Sequence, residues 1–88
     1  MIIQVSGYKL AFTDKEKKEI KGFTVSGVIT QPDYIDPSVE GKETFKEYMT
    51  VSNSNGQLPI IGDEYEVIFS IFEFNGEYTA RPHHLKEV

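Results

Sequence analysis

The sequence contains no cysteine, so it has neither a disulfide framework nor thiolates for a metal site. Its only two histidines, His83 and His84, are adjacent. Adjacent side chains of an extended strand point to opposite faces, so we do not expect this pair to hold one metal ion jointly. The sequence therefore predicts no metal site and no cofactor.

Long apolar runs and phosphate-binding loops are also missing. No run of about 18 apolar residues is present, so no membrane span is expected. The opening MIIQVSGYKL lacks the charged start and long apolar segment of a signal peptide. The glycines are spaced as turns or bulges, and no serine has a recognisable nucleophile setting. These absences predict a cytoplasmic protein that is not an enzyme.

Positive charge is scarce and concentrated in one short segment. The 88 residues carry a net charge of −5, which taken alone argues against nucleic acid and for a basic partner. Between Lys9 and Lys21, however, five lysines stand against three acidic residues. The remainder of the chain holds four basic and eleven acidic residues.

The strongest structural pattern runs from Gly62 to Arg81. Apolar side chains recur at every second position in EYEVIFSI, which predicts a strand whose apolar face carries Tyr65, Val67, Phe69 and Ile71. The Asn75-Gly76 pair that follows tolerates positive φ at both positions, as a type I′ hairpin turn requires. A returning strand is expected over residues 77–81, so the sheet is antiparallel.

Met1–Thr13 is predicted to form either a strand pair or one long bent strand. Further strands are predicted over Gly22–Gln31 and about Thr44–Ser52, and ETFKEYM also fits the start of a helical turn. Ser6-Gly7 interrupts the first pattern as a bulge does, and Gly27 indicates a bend or a position opposite an aromatic ring. In the tail, Leu85 and Val88 are expected to lie against the N-terminal strand.

Five or six short strands separated by turns predict an all-β protein. The leading candidate is a small five-stranded antiparallel barrel of the oligonucleotide-binding (OB) type, with protruding hairpins, formed by residues 1–88 as a single domain. Such a short chain buries only about 60–65 % of its unfolded surface. Small domains without disulfides often add buried area by forming oligomers.

Two segments have two interpretations each. DKEKKEIK, residues 14–21, is expected at a hairpin tip, either as a solvated charged loop or as a basic wing that contacts phosphates. Tyr34 lies in the turn-rich PDYIDPSVEG, either folded onto the core or exposed for stacking.

Aromatic residues are numerous for so small a core. Single-stranded nucleic acid binders stack bases on exposed rings and follow phosphates with lysines. The alternative is that the rings fill the core or a dimer interface, where aromatics are also favoured. We expect some of the following rings to be exposed: Phe23, Tyr34, Tyr48, Phe74 and Tyr78.

Several scattered pieces of the chain resemble one family. They are the opening MIIQV, Phe12-Thr13 before a charged turn, Gly22-Phe23 after it, and the spaced residues Gly62, Tyr65, Val67, Ser70, Phe72 and Leu85. In these pieces the chain is similar to the helix-destabilising, single-stranded-DNA-binding proteins of filamentous phages, the gene-five type.

The resemblance implies an OB-like barrel, a two-fold homodimer and cooperative coating of single-stranded DNA with little sequence preference, with RNA left open. It also implies a phage or mobile-element protein of DNA replication, in the cytoplasm of a bacterial host. Carried over by position, it assigns phosphate contacts to the wing, base contacts to aromatics and further contacts to the last strand. The residues are Lys15, Lys17, Lys18, Lys21, Phe23, Tyr34, Phe74, Tyr78, His84 and Lys86.

Departures from the family keep a second hypothesis open. This chain has lysines, a histidine or no basic residue where the family has arginines, it is acidic, and its segment 32–46 is longer. The alternative is an acidic module that binds a basic protein, or a DNA mimic that inhibits an enzyme.

Overall fold

A computed structural model describes all 88 residues, and it contains five β-strands and no helix. No segment therefore forms a helix long and apolar enough to cross a membrane. The strands are β1 (Ile2–Phe12), β2 (Ile20–Gln31), β3 (Thr44–Thr50), β4 (Glu64–Phe74) and β5 (Glu77–Glu87).

All five strands belong to one antiparallel sheet with the order β3-β2-β1-β4-β5. Two long hairpins, β1–β2 and β4–β5, are joined where β1 pairs with β4 over only three residue pairs, Ile2–Glu66, Ile3–Tyr65 and Gln4–Glu64. The edge strands β3 and β5 contact each other without forming a hydrogen-bonded ladder. The sheet therefore curls, and the distal halves of both hairpins extend away from the junction.

Two local features follow the sequence prediction. Asn75 and Gly76 have φ values of 51° and 80°, as the predicted type I′ turn requires. Ser6 is the extra residue of a bulge between Val5 and Gly7. The bulge shifts the inward-facing positions of β1 from odd to even numbers, so that Leu10, like Ile3, packs towards the core.

The core is small and lies on the inner face of the curled sheet. Eight apolar side chains are buried together: Ile3, Val5, Phe23, Val25, Phe45, Met49, Tyr65 and Val67. Each of the first four strands, β1 to β4, contributes to it, and Leu85 of β5 packs against its margin. This cluster holds the junction of the two hairpins together but does not extend to their tips.

Gly27 lies where backbones approach most closely. It pairs with Val5 of β1 and with Phe45 of β3, which agrees with the predicted position opposite an aromatic ring. A Cβ at residue 27 would collide with the carbonyl oxygen of Gln4. The absence of a side chain is therefore required for the packing of β2 against β1.

The apolar face predicted for β4 is buried over only half its length. Tyr65 and Val67 lie in the core, whereas Phe69 and Ile71 are exposed. The reason is the short pairing with β1, which leaves the second half of β4 with β5 as its only neighbour. The apolar periodicity predicted β4 correctly, but it did not predict how much of the apolar face of β4 is buried.

The sequence predicted that the tail lies against the N-terminal strand, and this prediction is wrong. β5 continues beyond residue 81 to Glu87 and pairs with β4 throughout. Pro82 is compatible with this because β5 is an edge strand, where a missing N–H costs no ladder hydrogen bond. No strand forms over residues 58–61.

Candidate nucleic-acid interface

The β1–β2 connection is a hairpin tip, as predicted, and we call residues 13–19 with Lys21 the wing. Its base closes through the backbone N–H of Thr13, which donates to the carbonyl oxygen of Glu19 at 3.0 Å. Its tip is a turn in which the carboxylate of Asp14 accepts a hydrogen bond from the backbone N–H of Lys18. The wing is therefore an ordered turn rather than a helix.

Most of the wing lysines have no anionic partner. Lys18 Nζ lies 2.6 Å from a carboxylate oxygen of Glu16, but both side chains are exposed, so this pair is weak. Lys17 Nζ lies 5.9 Å from the centre of the Phe12 ring, within cation–π range. Lys15 and Lys21 form no ion pair, so the wing presents cations that are free to bind phosphate.

The register of β4 with β5 gives the protruding hairpin two different faces. Residues paired across an antiparallel ladder lie on the same face. Phe72 pairs with Thr79, Phe74 with Glu77 and Ser70 with Arg81, and these form one face. The other face carries the remaining pairs: Phe69 with Pro82, Ile71 with Ala80, and Glu73 with Tyr78.

The face of the β4–β5 hairpin that we call the aromatic–arginine face contains Phe72, Phe74 and Arg81. Phe74 is 78 % exposed, and the Arg81 guanidinium lies 5.7 Å from the centre of the Phe72 ring. An exposed ring beside a cation suits stacking of a base together with binding of its phosphate. The sequence singled out Phe74 but missed Phe72 and Arg81.

The opposite face of the β4–β5 hairpin, which we call the apolar face, contains Phe69, Ile71, Tyr78, Ala80 and Pro82. Ile71 and Tyr78 are 73 % and 72 % exposed. Tyr78 therefore lies on the opposite face from Phe74, although the predicted site included both residues. Glu73, which pairs with Tyr78, is the charged residue on this face. Exposed apolar side chains grouped in this way are typical of an interaction surface.

A third candidate surface lies on the outer face of β1, β2 and β3. Thr24 pairs with both Lys9 and Tyr48, and Ser26 pairs with Lys46. A Cβ at Gly22 would collide with the Tyr48 side chain, so the tyrosine lies across the outer surface of β2. Lys9, Lys46 and Tyr48 were not in the predicted site. Their alternation with the buried residues of the same strands is the sequence signal that could have placed them on the outer face.

Phe23 corrects the sequence prediction. It was expected to contact bases, but it is 1 % exposed and belongs to the core. Tyr8 packs edge-on against its ring, with 6.3 Å between the ring centres. A ring enclosed in this way cannot stack on a bound strand, so Phe23 is a structural residue.

Tyr34 is 76 % exposed, so it is not folded onto the core. Its loop is held by the Met1 amine, 2.6 Å from Asp33, and by an Asp36–Ser38 turn. The Ser38 hydroxyl and then its backbone N–H donate to Asp36 and lower the pKa of that carboxyl. The loop follows the end of β2, whereas the wing precedes its start, roughly 35 Å away along an extended strand. Tyr34 and the wing lysines therefore do not converge.

The two histidines contradict the expectation that they point apart. His83 is the extra residue of a bulge between Ile68 and Phe69, and strand alternation fails there. The two Nδ1 atoms lie 2.8 Å apart and the ring centres 5.1 Å apart. Each Nδ1 thus points at the other, as in an N–H···N hydrogen bond. The next basic residue, Lys86, pairs across the ladder with Glu66.

The carboxylates outside the wing include a cluster at the start of β4. Asp63, Glu64 and Glu87 line one shallow cleft. No group of three or more His, Cys, Asp or Glu side chains has the proximity needed to hold a metal ion. The acidic cleft lies at the opposite end of β4 from the aromatic–arginine face.

Comparison with protein-family models finds no match for this chain, and comparisons with curated proteins and with solved structures find none either.

Proposed function

We propose that this protein binds single-stranded DNA largely independently of sequence, through lysine–phosphate contacts and aromatic–base stacking. The observation that carries the proposal is the aromatic–arginine face of the β4–β5 hairpin, where Phe74 is exposed and the half-exposed Phe72 ring lies beside Arg81. The unpaired lysines of the wing supply a second set of cations. The resemblance to the gene-five type supports a phage or mobile-element role in DNA replication in a bacterial cytoplasm.

We further propose that the curled sheet is an OB-type barrel. Its order, with contact between β3 and β5, is the order expected if those two edges close the sheet. OB-folds bind oligonucleotides with the face of strands 2 and 3 and with the loops between strands 1–2 and 4–5. Here those three places are the outer face with Tyr48 and Lys46, the wing, and the tip of the β4–β5 hairpin.

The direct test is fluorescence anisotropy of a labelled poly-dT oligonucleotide. We expect micromolar or tighter binding at low salt that weakens steeply towards about 0.2 M salt, because cations condensed on the strand are released on binding. An RNA oligonucleotide of equal length, measured in parallel, shows whether the protein prefers DNA or RNA. If no single strand binds even at low salt, the proposal is wrong.

Removing the exposed ring of Phe74 should weaken this binding without unfolding the protein. Because stacking on an aromatic side chain is worth roughly 1–3 kcal/mol per base, Phe74→Ala should lose at least about fivefold in affinity. Ile35→Ala removes an equally exposed apolar side chain far from the site and serves as the control. Equal affinities of the two variants would remove Phe74 from the site.

The apolar face supports a homodimer as part of the same proposal. Its exposed residues, Ile71 and Tyr78 among them, lack a partner within the chain, and the core is small for a domain without disulfides. The aromatic–arginine face of each copy stays open when the apolar faces of two copies meet. Two copies would thus present two strand-binding faces pointing away from the interface.

A lysine in the apolar face should separate the copies. Ile71→Lys is expected to change the mass in light scattering from twice the 10.0 kDa chain mass to a single chain. Thr79→Lys places the same charge on the aromatic–arginine face and should leave the dimer intact. If the wild-type protein is a monomer at micromolar concentration, the proposed dimer is wrong.

The second candidate function rests on the acidic cleft of Asp63, Glu64 and Glu87. These carboxylates, with a net charge of −5, suit a basic protein partner or mimicry of DNA. Failure of every single strand to bind at low salt would favour this function over the first.

A further inference from the structure

A cavity of about 440 Å³ lies between the β3–β4 connection and β5. Its volume falls within the roughly 300–1,000 Å³ typical of small-molecule sites. Leu58 and Leu85 form the accessible apolar parts of its wall, and Phe23 borders it with only 1 % of its surface exposed. Tyr65 also borders it, with its hydroxyl accepting a hydrogen bond from the backbone N–H of Ile60. We call this space the loop cavity.

The polar part of the lining is rich in unused hydrogen-bonding groups. Asn53, Asn55 and Gln57 line the loop cavity, and their side-chain amides make no hydrogen bond within the protein. Each amide offers both a donor and an acceptor. His84 and Glu87 complete the lining from β5, and Glu87 is also part of the acidic cleft, which adjoins the loop cavity there. An apolar wall with donors and acceptors at the margin suits a flat, polar-edged ring.

The charge of the lining excludes a phosphate. Neither lysine nor arginine lines the loop cavity, whereas Glu87 contributes a carboxylate. An anion would meet that carboxylate without a compensating fixed cation, which disfavours its binding. The lining therefore disfavours a phosphate group as the occupant.

The loop cavity is connected to the wing through the backbone. The N–H of Val51 donates to the carbonyl oxygen of Lys21 at 3.2 Å, which fixes the β3–β4 connection beside the start of β2. Two residues along β2, Phe23 reaches the cavity wall. At about 3.3 Å per residue, Lys21 lies roughly 7 Å from that wall along the strand. A phosphate held by Lys21 would thus place its nucleotide next to the cavity.

We propose that the loop cavity receives one base of the bound single strand and favours a base that carries an exocyclic amino group. This inference rests on the proposed function and deepens it. Glu87 can only accept hydrogen bonds when ionised, and the amino group of cytosine or adenine donates one. Thymine presents a carbonyl oxygen where cytosine has its amino group, so an acceptor would face the carboxylate. The rest of the strand stays bound without regard to sequence.

The test compares dC and dT oligonucleotides of equal length, which differ little in size. We expect the wild-type protein to bind dC about tenfold more tightly at neutral pH, the equivalent of roughly 1.4 kcal/mol. Glu87→Gln should bring the two affinities within about twofold, because an amide can turn either a donor or an acceptor towards the base. Glu40→Gln makes the same charge change in the loop after β2 and should keep the preference.

The possible outcomes distinguish a failure of the proposed base preference from a failure of the proposed single-strand binding. Binding of dC and dT with equal affinity overturns the base preference and leaves single-strand binding in place. A dC preference that survives in Glu87→Gln places the selectivity elsewhere and also overturns it. If neither oligonucleotide binds at low salt, the proposed function itself fails, and the inference falls with it.

Discussion

Replacing Lys17 and Lys18 together with glutamine is expected to weaken binding to single-stranded DNA about 25-fold at 0.1 M salt, because each lost phosphate contact lowers log K by roughly 0.7 at that concentration. The slope of log K against log salt should become shallower by about 1.4. Both lysines are exposed at the tip of the wing and hold no part of the core, so thermal stability should stay unchanged. Anisotropy titrations over a salt series measure both quantities.

The control must separate a local contact from the charge of the whole protein. Lys42→Glu changes the net charge by the same two units as the double glutamine variant, but it lies in the loop before β3. We expect it to lose only a small part of the affinity. If Lys42→Glu weakens binding as strongly as the double variant, the wing has no special role and the overall field determines affinity.

Replacing Gly27 with alanine is expected to destabilise the fold by about 1–3 kcal/mol, the usual range for added volume in a packed interior. The new Cβ would collide with the Gln4 carbonyl oxygen, which belongs to backbone and cannot turn aside. Relief requires β1 to move away from β2 at the point where the two hairpins join. For a domain of this size each kcal/mol lowers the melting temperature by roughly 4–8 °C.

Gly7→Ala is the matched control, because it is a glycine of the same sheet with no atom within 4 Å of the added Cβ. Its effect on unfolding free energy should stay below about 1 kcal/mol. Calorimetry or thermal circular dichroism compares the two variants. Equal melting temperatures would mean that the close approach of β2 and β1 at Gln4 is not a structural requirement.

Local chemistry explains what could be predicted from the sequence. Alternating apolar residues predicted β4, and the tolerance of Asn75-Gly76 for positive φ predicted the turn after it. The break at Ser6-Gly7 predicted the bulge of β1. Each of these depends on a few neighbouring residues, so no knowledge of distant contacts was needed.

Side-chain exposure was less predictable. Phe23 and Phe74 are both aromatic residues of strands, yet one is enclosed by the core and the other projects from a hairpin. The difference arises because Phe23 lies on the inner face of the sheet, within the core, whereas Phe74 lies on the face of the β4–β5 hairpin that points away from the side of β4 carrying Tyr65 and Val67. Register over that hairpin then separates Phe74 from Tyr78, although the predicted site included both residues.

The adjacent histidines show the same limit. Strand alternation predicted that His83 and His84 point apart, but a one-residue bulge opposite Ile68 brings their Nδ1 atoms within 2.8 Å. A bulge on an edge strand is set by how the two strands of the pair meet. Nothing in the dipeptide itself indicates it.

The sequence by itself determined most of the strand positions, the hairpin turn and the concentration of lysines in the wing, because these follow from local periodicity, turn chemistry and charge order. Only the tertiary structure decided that Phe23 is buried and that the β4–β5 hairpin has an apolar and an aromatic–arginine face. It also decided that a cavity forms beside β5. These depend on strand register and on which surfaces the small core leaves uncovered, and both arise from contacts between residues far apart in the chain.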